Sequence, residues 1–250
     1  MSEKANRFLD SDDFLNRDLE FLERNETKIG TEKFDARGDA TAMSALMCHS
    51  ASIHSWVRKA SVNLYRQLAK RSAELHLELV KRSERGDPIA DSRIGFMSYQ
   101  RLFDGLASGS LPLAADVAGR ILSRTTKIPD PVSAFDRSFC QALCAFVFQS
   151  PDRAIQLEKF KPMLESSATK PFAGYGAAFE AMLNSDRESL NRAILDIAEG
   201  HIKLGKTGVW KETVDRELCV WGIGIAQLAK SYNLDADIDH VLIPGALIRP

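Results

Sequence analysis

Residues 40–85 read ATAMSALMCHSASIHSWVRKASVNLYRQLAKRSAELHLELVKRSER, and this stretch decides the fold. It contains neither glycine nor proline, the two residues that most often interrupt a helix. Its apolar side chains recur at helical spacing and would share one face of a helix. They are Met43, Leu46, Met47, Ile53, Val57, Leu64, Leu68, Leu75 and Leu79. We therefore predict a long helix over residues 39–86, or two helices joined with a kink.

The chain before this stretch, residues 1–38, predicts an acidic N-terminal helix and loop. The Ser-Asp-Asp segment at 11–13 can cap free backbone N–H groups at a helix start, and apolar residues follow on roughly one side. Gly30 and Gly38 then break the pattern.

Charge is unevenly placed along the chain. Residues 1–40 carry 11 acidic and 7 basic side chains, whereas residues 41–100 carry 5 acidic and 9 basic ones. These neighbouring segments can pair with each other, since solvated helix faces commonly carry mixed charge. The alternative is an acidic edge that is presented to a basic partner.

The chain after residue 86 predicts shorter helices between recognisable stops, such as Gly109, Pro151 and Pro171. We place these helices near 95–107, 111–125, 131–149, 151–167, 172–184, 186–204 and 213–232. Short connections between helices of this length imply antiparallel hairpins over 95–232. Residues 233–250 read as a C-terminal extension.

Two of the predicted hairpins, 98–125 and 172–198, share a pattern. Each pairs an aromatic-led helix with an amphipathic one, and both are rich in glycine and alanine, which let helices approach closely. Gly222 and Gly224 predict the same close packing further along. The sequence thus predicts a single all-α domain over 1–250, in which antiparallel helical hairpins pack as a helical-repeat-like, tetratricopeptide-like bundle.

The composition is that of an ordinary globular protein, with 44% hydrophobic residues and 33 basic against 34 acidic ones. This balance disfavours nonspecific nucleic-acid binding. The first residues hold acidic Glu3 beside Lys4 and no apolar run follows, so we expect no secretory signal, and no stretch reaches the roughly 18 apolar residues of a membrane span. We predict a soluble cytoplasmic protein, with which four cysteines in mostly apolar stretches agree.

Each candidate for a metal or cofactor ligand is better explained by a structural role. Cys140 and Cys144 lie in so apolar a stretch that we predict core packing. His49 and His54 are out of phase by about 140° on a helix, so we expect polar or buried structural histidines. Asp235, Asp237 and Asp239 alternate as the first ligands of a calcium loop do. The glycine and the closing glutamate that such a loop needs are absent, because His240 and Ala246 occupy those positions. We predict no metal site and no cofactor.

Candidate catalytic residues are equally sparse. His201 lies near a predicted helix end, and we expect it to act as a cap or an interface hydrogen-bonding group in preference to an acid or base. Trp56, Trp210 and Trp221 are predicted as core or hairpin anchors. No strand-turn-helix nucleophile elbow or nucleotide loop is visible. We therefore predict no catalytic residues and no enzymatic activity.

Three stretches of the sequence stand out together. They are GLASGSLPLAADVA at 105–118, FEAMLNSD at 179–186 running on to AILDIAEGH at 193–201, and ELCVWGIGIAQLA at 217–229 with a closing LIP at 242–244. Together they resemble the immunity protein 49 family of bacterial polymorphic-toxin systems, over roughly residues 40–247. The resemblance implies an all-α protein, encoded beside a secreted toxin, that binds and blocks this toxin in the producer's cytoplasm. It supplies no catalytic residues.

The expected partner is thus a cognate toxin, such as a type VI or other contact-delivered effector, without direct contact to nucleic acid or membrane. If the toxin is a basic nuclease, an acidic cluster at the N-terminus is the expected charged contact. Its members are Asp10, Asp12, Asp13, Asp18, Glu20 and Glu23. The alternative function is a helical-repeat adaptor or scaffold that binds a peptide or a secretion-system component. A third, an enzyme of unrecognised type, would need a pocket with convergent polar groups.

Overall fold

The computed structural model describes residues 11–94, 99–125 and 133–249, and within them the chain is all-α, as predicted. No β-strand occurs in these ranges. The helices are α1 (Ser11–Glu26), α2 (Glu32–Asp35), α3 (Asp39–Lys59), α4 (Val62–Glu84), α5 (Asp91–Ile94), α6 (Tyr99–Ala107), α7 (Leu111–Thr125), α8 (Ala134–Val147), α9 (Arg153–Phe160), α10 (Ala173–Asn184), α11 (Arg187–Thr207), α12 (Val220–Ala229) and α13 (Gly245–Ile248). Short 3-10 helices, among them Val214–Glu217, complete the fold. None of the described helices is both long and apolar enough to cross a bilayer.

The prediction of a single long helix over 39–86 is wrong. The alternative of two helices is confirmed, but a reversal of the chain joins them, where a kink was the expectation. The chain reverses at Ala60, whose backbone is left-handed (φ 47°), and Ser61 then caps α4 by accepting from the N–H of Leu64 at 3.4 Å. α3 and α4 therefore form an antiparallel hairpin. A serine hydroxyl that accepts a hydrogen bond from a backbone N–H can mark the start of a helix. The boundary between α3 and α4 therefore forms without a glycine or a proline.

The later helices begin and end close to the predicted stops. Left-handed residues end α6, α8 and α10 at Gly109, Gln149 and Ser185. Two predicted helices are partly wrong. The α-helix predicted over 151–167 ends at Phe160 and is followed by a 3-10 helix, Lys161–Leu164. The helix predicted over 213–232 is wrong before Val220, because Leu218 is extended and separates the 3-10 helix Val214–Glu217 from α12. The backbone N–H of the next residue, Cys219, instead donates to the carbonyl of Leu242 at 2.8 Å. Helical-repeat stacking of the hairpins stays a prediction.

The core is an aromatic cluster between α6, α8, α10 and α12. Phe103 stacks on Trp221 with ring centroids 4.7 Å apart, and Phe139 meets Tyr175 edge-on at 5.2 Å. Trp221 thus lies in the core, as predicted. Trp210, Cys140 and Cys144 are also buried, as predicted, and the extension after residue 233 packs Ile243, Leu247 and Ile248 against the same cluster.

Glycines permit the close helix approaches that the sequence predicts. A Cβ on Gly224 would lie 2.9 Å from a ring carbon of Phe103, which confirms close packing of α12 on α6. The tightest position is Gly200 on α11, where an added Cβ would lie 1.8 Å from the carbonyl oxygen of Pro171. Because the obstacle there is backbone, a side chain cannot rotate away to relieve the clash.

Gly200→Ala is therefore expected to lower the free energy of unfolding by about 3 kcal/mol, the upper end of the usual cost of overpacking in a dense core. Gly119→Ala, in the middle of α7, is the matched control, since its added Cβ meets only the ring of Phe148 at an ordinary 3.5 Å. This control should be neutral or stabilising by up to about 1 kcal/mol, because alanine favours a helix over glycine. Urea denaturation followed by circular dichroism measures both; equal effects would contradict the packing argument.

Candidate partner-binding site

The predicted acidic cluster lies largely on α1, a helix at the edge of the molecule. Leu15 is its most buried apolar residue, and Leu22 packs against the small cluster of Ala45, Cys48 and Leu75. At 100° per residue, Asp13 and Glu20 fall on the opposite side of α1, and Glu23 lies on its flank, about 80° from Leu15. All three are exposed.

The six predicted contact residues have different positions. Asp10 lies outside the described residues, and Asp12 lies in α1, but its side chain is outside the described part. Asp13, Glu20 and Glu23 face solvent, and no ion pair joins any of them to another residue within the described ranges. Asp18 instead points inward, in phase with Leu15 and Leu22. The outer face of α1 also carries two exposed arginines, Arg17 and Arg24.

Asp18 fastens α1 to α3. Its Oδ2 accepts from the hydroxyl of Ser50 at 2.7 Å and contacts Nδ1 of His54 at 3.0 Å. Two turns along, the amide of Asn25 donates to the carbonyl of Ala40 at 2.8 Å and to the hydroxyl of Ser44 at 2.7 Å. Buried polar contacts of this kind fix the angle and register of a helix, so α1 presents its carboxylates in one orientation.

Other acidic residues of the N-terminal segment pair with the basic segment that follows. Asp35 is buried and accepts from a guanidinium nitrogen of Arg82 at 2.6 Å and from the backbone N–H of Thr41 at 2.9 Å. Asp39 pairs with Arg93 at 3.0 Å on the surface. The carboxylates of Asp35 and Asp39 are thus paired within the chain. Asp13, Glu20 and Glu23 are not, so these three agree with the alternative of an acidic edge that is presented to a partner.

A groove of about 320 Å³ opens beside α1. Phe14 of α1, His54 of α3 and the segment 211–217 line it. Phe14 is 37% exposed, and its ring centroid lies 5.6 Å from that of His54. Lys211 and Arg216 bring positive charge to the rim, whereas Glu212 and Glu217 bring negative charge, and Glu217 is paired with Arg58 at 3.4 Å. At 100° per residue, the exposed Arg17 and Arg24 lie between Phe14 and the carboxylates of Asp13 and Glu20. We call the outer face of α1 and the groove together the α1 surface.

A buried ionic network lies beneath this surface, and sequence reasoning missed it. His49 places Nδ1 2.6 Å from Asp104 of α6 and Nε2 2.9 Å from Asp215 of the 3-10 helix Val214–Glu217. The second oxygen of Asp104 accepts from Ser72 at 2.7 Å and from Arg101 at 2.9 Å. Four elements therefore meet at one group of charges.

The geometry assigns charge to His49. Each carboxylate needs a donor, and only the doubly protonated ring supplies an N–H on both nitrogens. Burial opposes this charge, yet Asp104 and Asp215 outweigh it and raise the pKa of His49 to about 9. Burial also opposes the charge of Asp104, but His49 and Arg101 lower the pKa of that carboxyl to about 2.

His201 extends the network on its other side. Its Nε2 lies 2.7 Å from the carbonyl oxygen of Asp215, which can only accept, so this nitrogen donates. Burial lowers the pKa of His201, and its ring stacks on Trp210 with centroids 4.3 Å apart. His201 thus serves as an interface hydrogen-bonding group, as predicted. His49 and His54 are buried, also as predicted.

A signal for the network exists in the sequence, but it is partial. Asp104 is a charged residue within the apolar face of α6, and a buried charge requires a partner. That partner, His49, is 55 residues away, and Asp215 is 166 residues from His49. Only the folded chain brings them together. Among the described residues no group of three or more His, Cys, Asp or Glu side chains could hold a metal ion.

Comparisons of the chain with models of known protein families, with characterised proteins and with solved structures gave no match.

The free energy of unfolding is expected to fall between about pH 6.5 and about pH 9, because His49 is charged in the fold and loses its proton more readily when unfolded. Its raised pKa makes this contribution complete below the ordinary histidine pKa, and the contribution is lost as the pH rises through about 9.

Denaturant titrations of the native chain and of His49→Gln over this range measure the effect. The variant should lose about 3–5 kcal/mol at the acidic end, since buried Asp104 and half-buried Asp215 then lose the imidazolium between them, and should show a shallower pH slope. His240→Gln, on the partly exposed C-terminal extension, should keep the native slope. An unchanged slope in His49→Gln would refute the assignment of charge.

Proposed function

We propose that this protein is an immunity protein that binds and neutralises a cognate secreted bacterial toxin in the cytoplasm by direct contact. The single observation that carries the proposal is the outer face of α1. There Asp13, Glu20 and Glu23 are exposed and lack ion-pair partners within the described part of the chain, while Asp18 holds the helix in place. The resemblance to the immunity protein 49 family in sequence motifs supports the same function.

The physical requirement of an immunity protein is a preorganised surface. Binding that orders a flexible segment loses affinity to the entropy of ordering, whereas a surface that is already fixed does not. The contacts of Asp18 and Asn25 with α3 fix α1 in this sense. A face of fixed carboxylates also suits a basic toxin, because complementary charge accelerates encounter.

The expected partner is a contact-delivered effector with a basic surface, and type VI effectors are one such class. Inhibition follows if the α1 surface covers the toxin's active site or locks its conformation. Of α1's 16 residues, six are acidic and two are basic, so the helix carries a net charge of −4. That excess is local, because the whole chain has a net charge of −1.

Coexpression with the product of the neighbouring reading frame tests the function. The proposal expects this chain to restore growth to cells that express that product and to copurify with it. If the two proteins neither form a complex nor affect growth together, the immunity function is refuted. A complex with a non-toxic peptide or secretion-system component would instead establish the helical-repeat adaptor.

Charge reversal of the α1 face tests the placement of the site. The triple variant Asp13→Lys, Glu20→Lys, Glu23→Lys should slow association with the toxin by about 10-fold or more at low salt, because electrostatic steering is lost. The difference should shrink at high salt, where these charges are screened. Stopped-flow mixing at both salt concentrations measures it.

The matched control carries the same change of charge on the exposed face of α11, through Glu188→Lys, Asp196→Lys and Glu199→Lys. Its association rate should change by less than about 3-fold, since these charges would lie outside the contact. Equal slowing in both triple variants would show an effect of net charge alone and would remove α1 from the interface.

A further inference from the structure

We propose that the exposed face of α11 is a self-association surface, on which a second copy of this chain docks its own α11 in the antiparallel direction. The proposal is independent of the proposed function, because no residue of the α1 surface takes part in it. Two features carry it: a stripe of exposed apolar side chains, and the order of the charges beside that stripe.

The apolar stripe runs along the outer side of α11. Leu195 is 41% exposed and Ile202 is 37% exposed. Seven residues separate them, so they differ by only about 20° in helical phase and lie on one line along the helix. Val209, a further seven residues along and just beyond the helix end, is 69% exposed. Single exposed apolar side chains are ordinary, but a seven-residue repeat of them is typical of a helix that packs against another helix.

The opposite side of α11 is already packed within the chain. Leu190, Ile197 and Leu204 are buried there and belong to the main core. The stripe is therefore a second apolar face of the same helix, and burying it requires another molecule.

The charges beside the stripe follow a fixed order. Glu199 precedes Ile202 by three residues and Lys206 follows it by four, and at 100° per residue both lie on the same flank, about 60° and about 40° from Ile202. Both are exposed, and no ion pair joins either of them to another residue of the described ranges. Lys203 lies about 100° from Ile202 and points away from the stripe.

These two features define how a second copy fits. A two-fold axis beside Ile202, perpendicular to both helices, makes the helices antiparallel and brings each flank against the same flank of the other copy. Glu199 of each copy then faces Lys206 of the other, and Leu195 faces Val209. In a parallel arrangement the charged flanks would lie on opposite sides of the contact, and these ion pairs would not form. The order of charges therefore favours the antiparallel direction.

The contact is small, so we expect weak association. Three apolar side chains from each copy and two symmetry-related ion pairs bury less than a standard stable interface does. Exposed ion pairs add at most about 1 kcal/mol each. We expect a dissociation constant on the order of 100 µM.

Sedimentation velocity of the full chain, from about 1 µM to about 1 mM, tests the association, because this range brackets the expected dissociation constant. The mass should rise from that of one chain toward that of two. Ile202→Glu should weaken the dimer by about 10-fold or more, since it places two carboxylates at the axis. Ile155→Glu, on α9, is the matched control, because this isoleucine is also exposed on a helix, and it should leave the dimer unchanged. Circular dichroism checks that both variants fold.

A charge swap tests the antiparallel direction. Glu199→Lys alone should weaken association by about 5- to 10-fold at low salt, because two ion pairs become two repulsive contacts. Lys206→Glu alone should do the same. The double variant should regain the native affinity within about 2-fold, because the complementary order is kept with its signs reversed.

Cysteine cross-linking tests the position of the axis. Ile202→Cys should form a disulfide between two copies under mild oxidation, because this position meets its own copy at the axis. Leu195→Cys should not, because its two copies would lie about 21 Å apart along the helices. The four native cysteines are buried and should not compete.

A chain that stays monomeric at about 1 mM overturns the proposal. So does a dimer that Ile202→Glu leaves intact, a double swap no better than Glu199→Lys, or a disulfide that forms as fast with Leu195→Cys as with Ile202→Cys. The triple variant of α11 used as the control for toxin binding contains Glu199→Lys and should also be monomeric. Toxin association is therefore compared below about 10 µM, where the native chain is monomeric as well.

Discussion

The imidazolium of His49 is the interaction on which the rest of the structure depends. It lies between Asp104 of α6 and Asp215 of the 3-10 helix Val214–Glu217, and it belongs to α3, so one buried cation joins three elements that are remote in sequence. Moving any of them away would leave a buried charge without its counterpart, which is far more costly than losing a surface contact. The network thereby fixes α3 against the aromatic core and fixes the segment 211–217 as a wall of the groove.

Polar contacts, and few apolar ones, attach the peripheral helix α1 to α3. Few of its apolar side chains are buried, and its register on α3 comes from Asp18 and Asn25, whose polar contacts are directional. The aromatic cluster between α6 and α12 supplies stability at a distance from it. Under the proposed function this division is useful, because residues of the outer face can vary with the partner while the core is unchanged.

Much of the fold was predictable, and the failures have identifiable causes. Glycine and proline stops located most helix ends after residue 86, because these residues act locally on the backbone. The reversal at Ala60 was missed, because an alanine in a left-handed conformation has no sequence signature and the Ser61 cap resembles any helical serine. Charge alone groups Asp18 with Asp13 in the acidic cluster, but the helical phase that Asp18 shares with Leu15 and Leu22 places it inward.

The sequence by itself determined the all-α class, most helix ends after residue 86, the burial of the cysteines and tryptophans tested above, and the acidic character of the N-terminal segment. These properties follow from periodicity, local backbone preference and composition, which act over a few residues. Only the tertiary structure decided which carboxylates are free, which imidazoles are charged, and that Phe14, His54 and the segment 211–217 share a groove. The physical reason is that charge, burial and hydrogen bonding depend on neighbours in space, and two such neighbours, His49 and Asp215, are 166 residues apart in the chain.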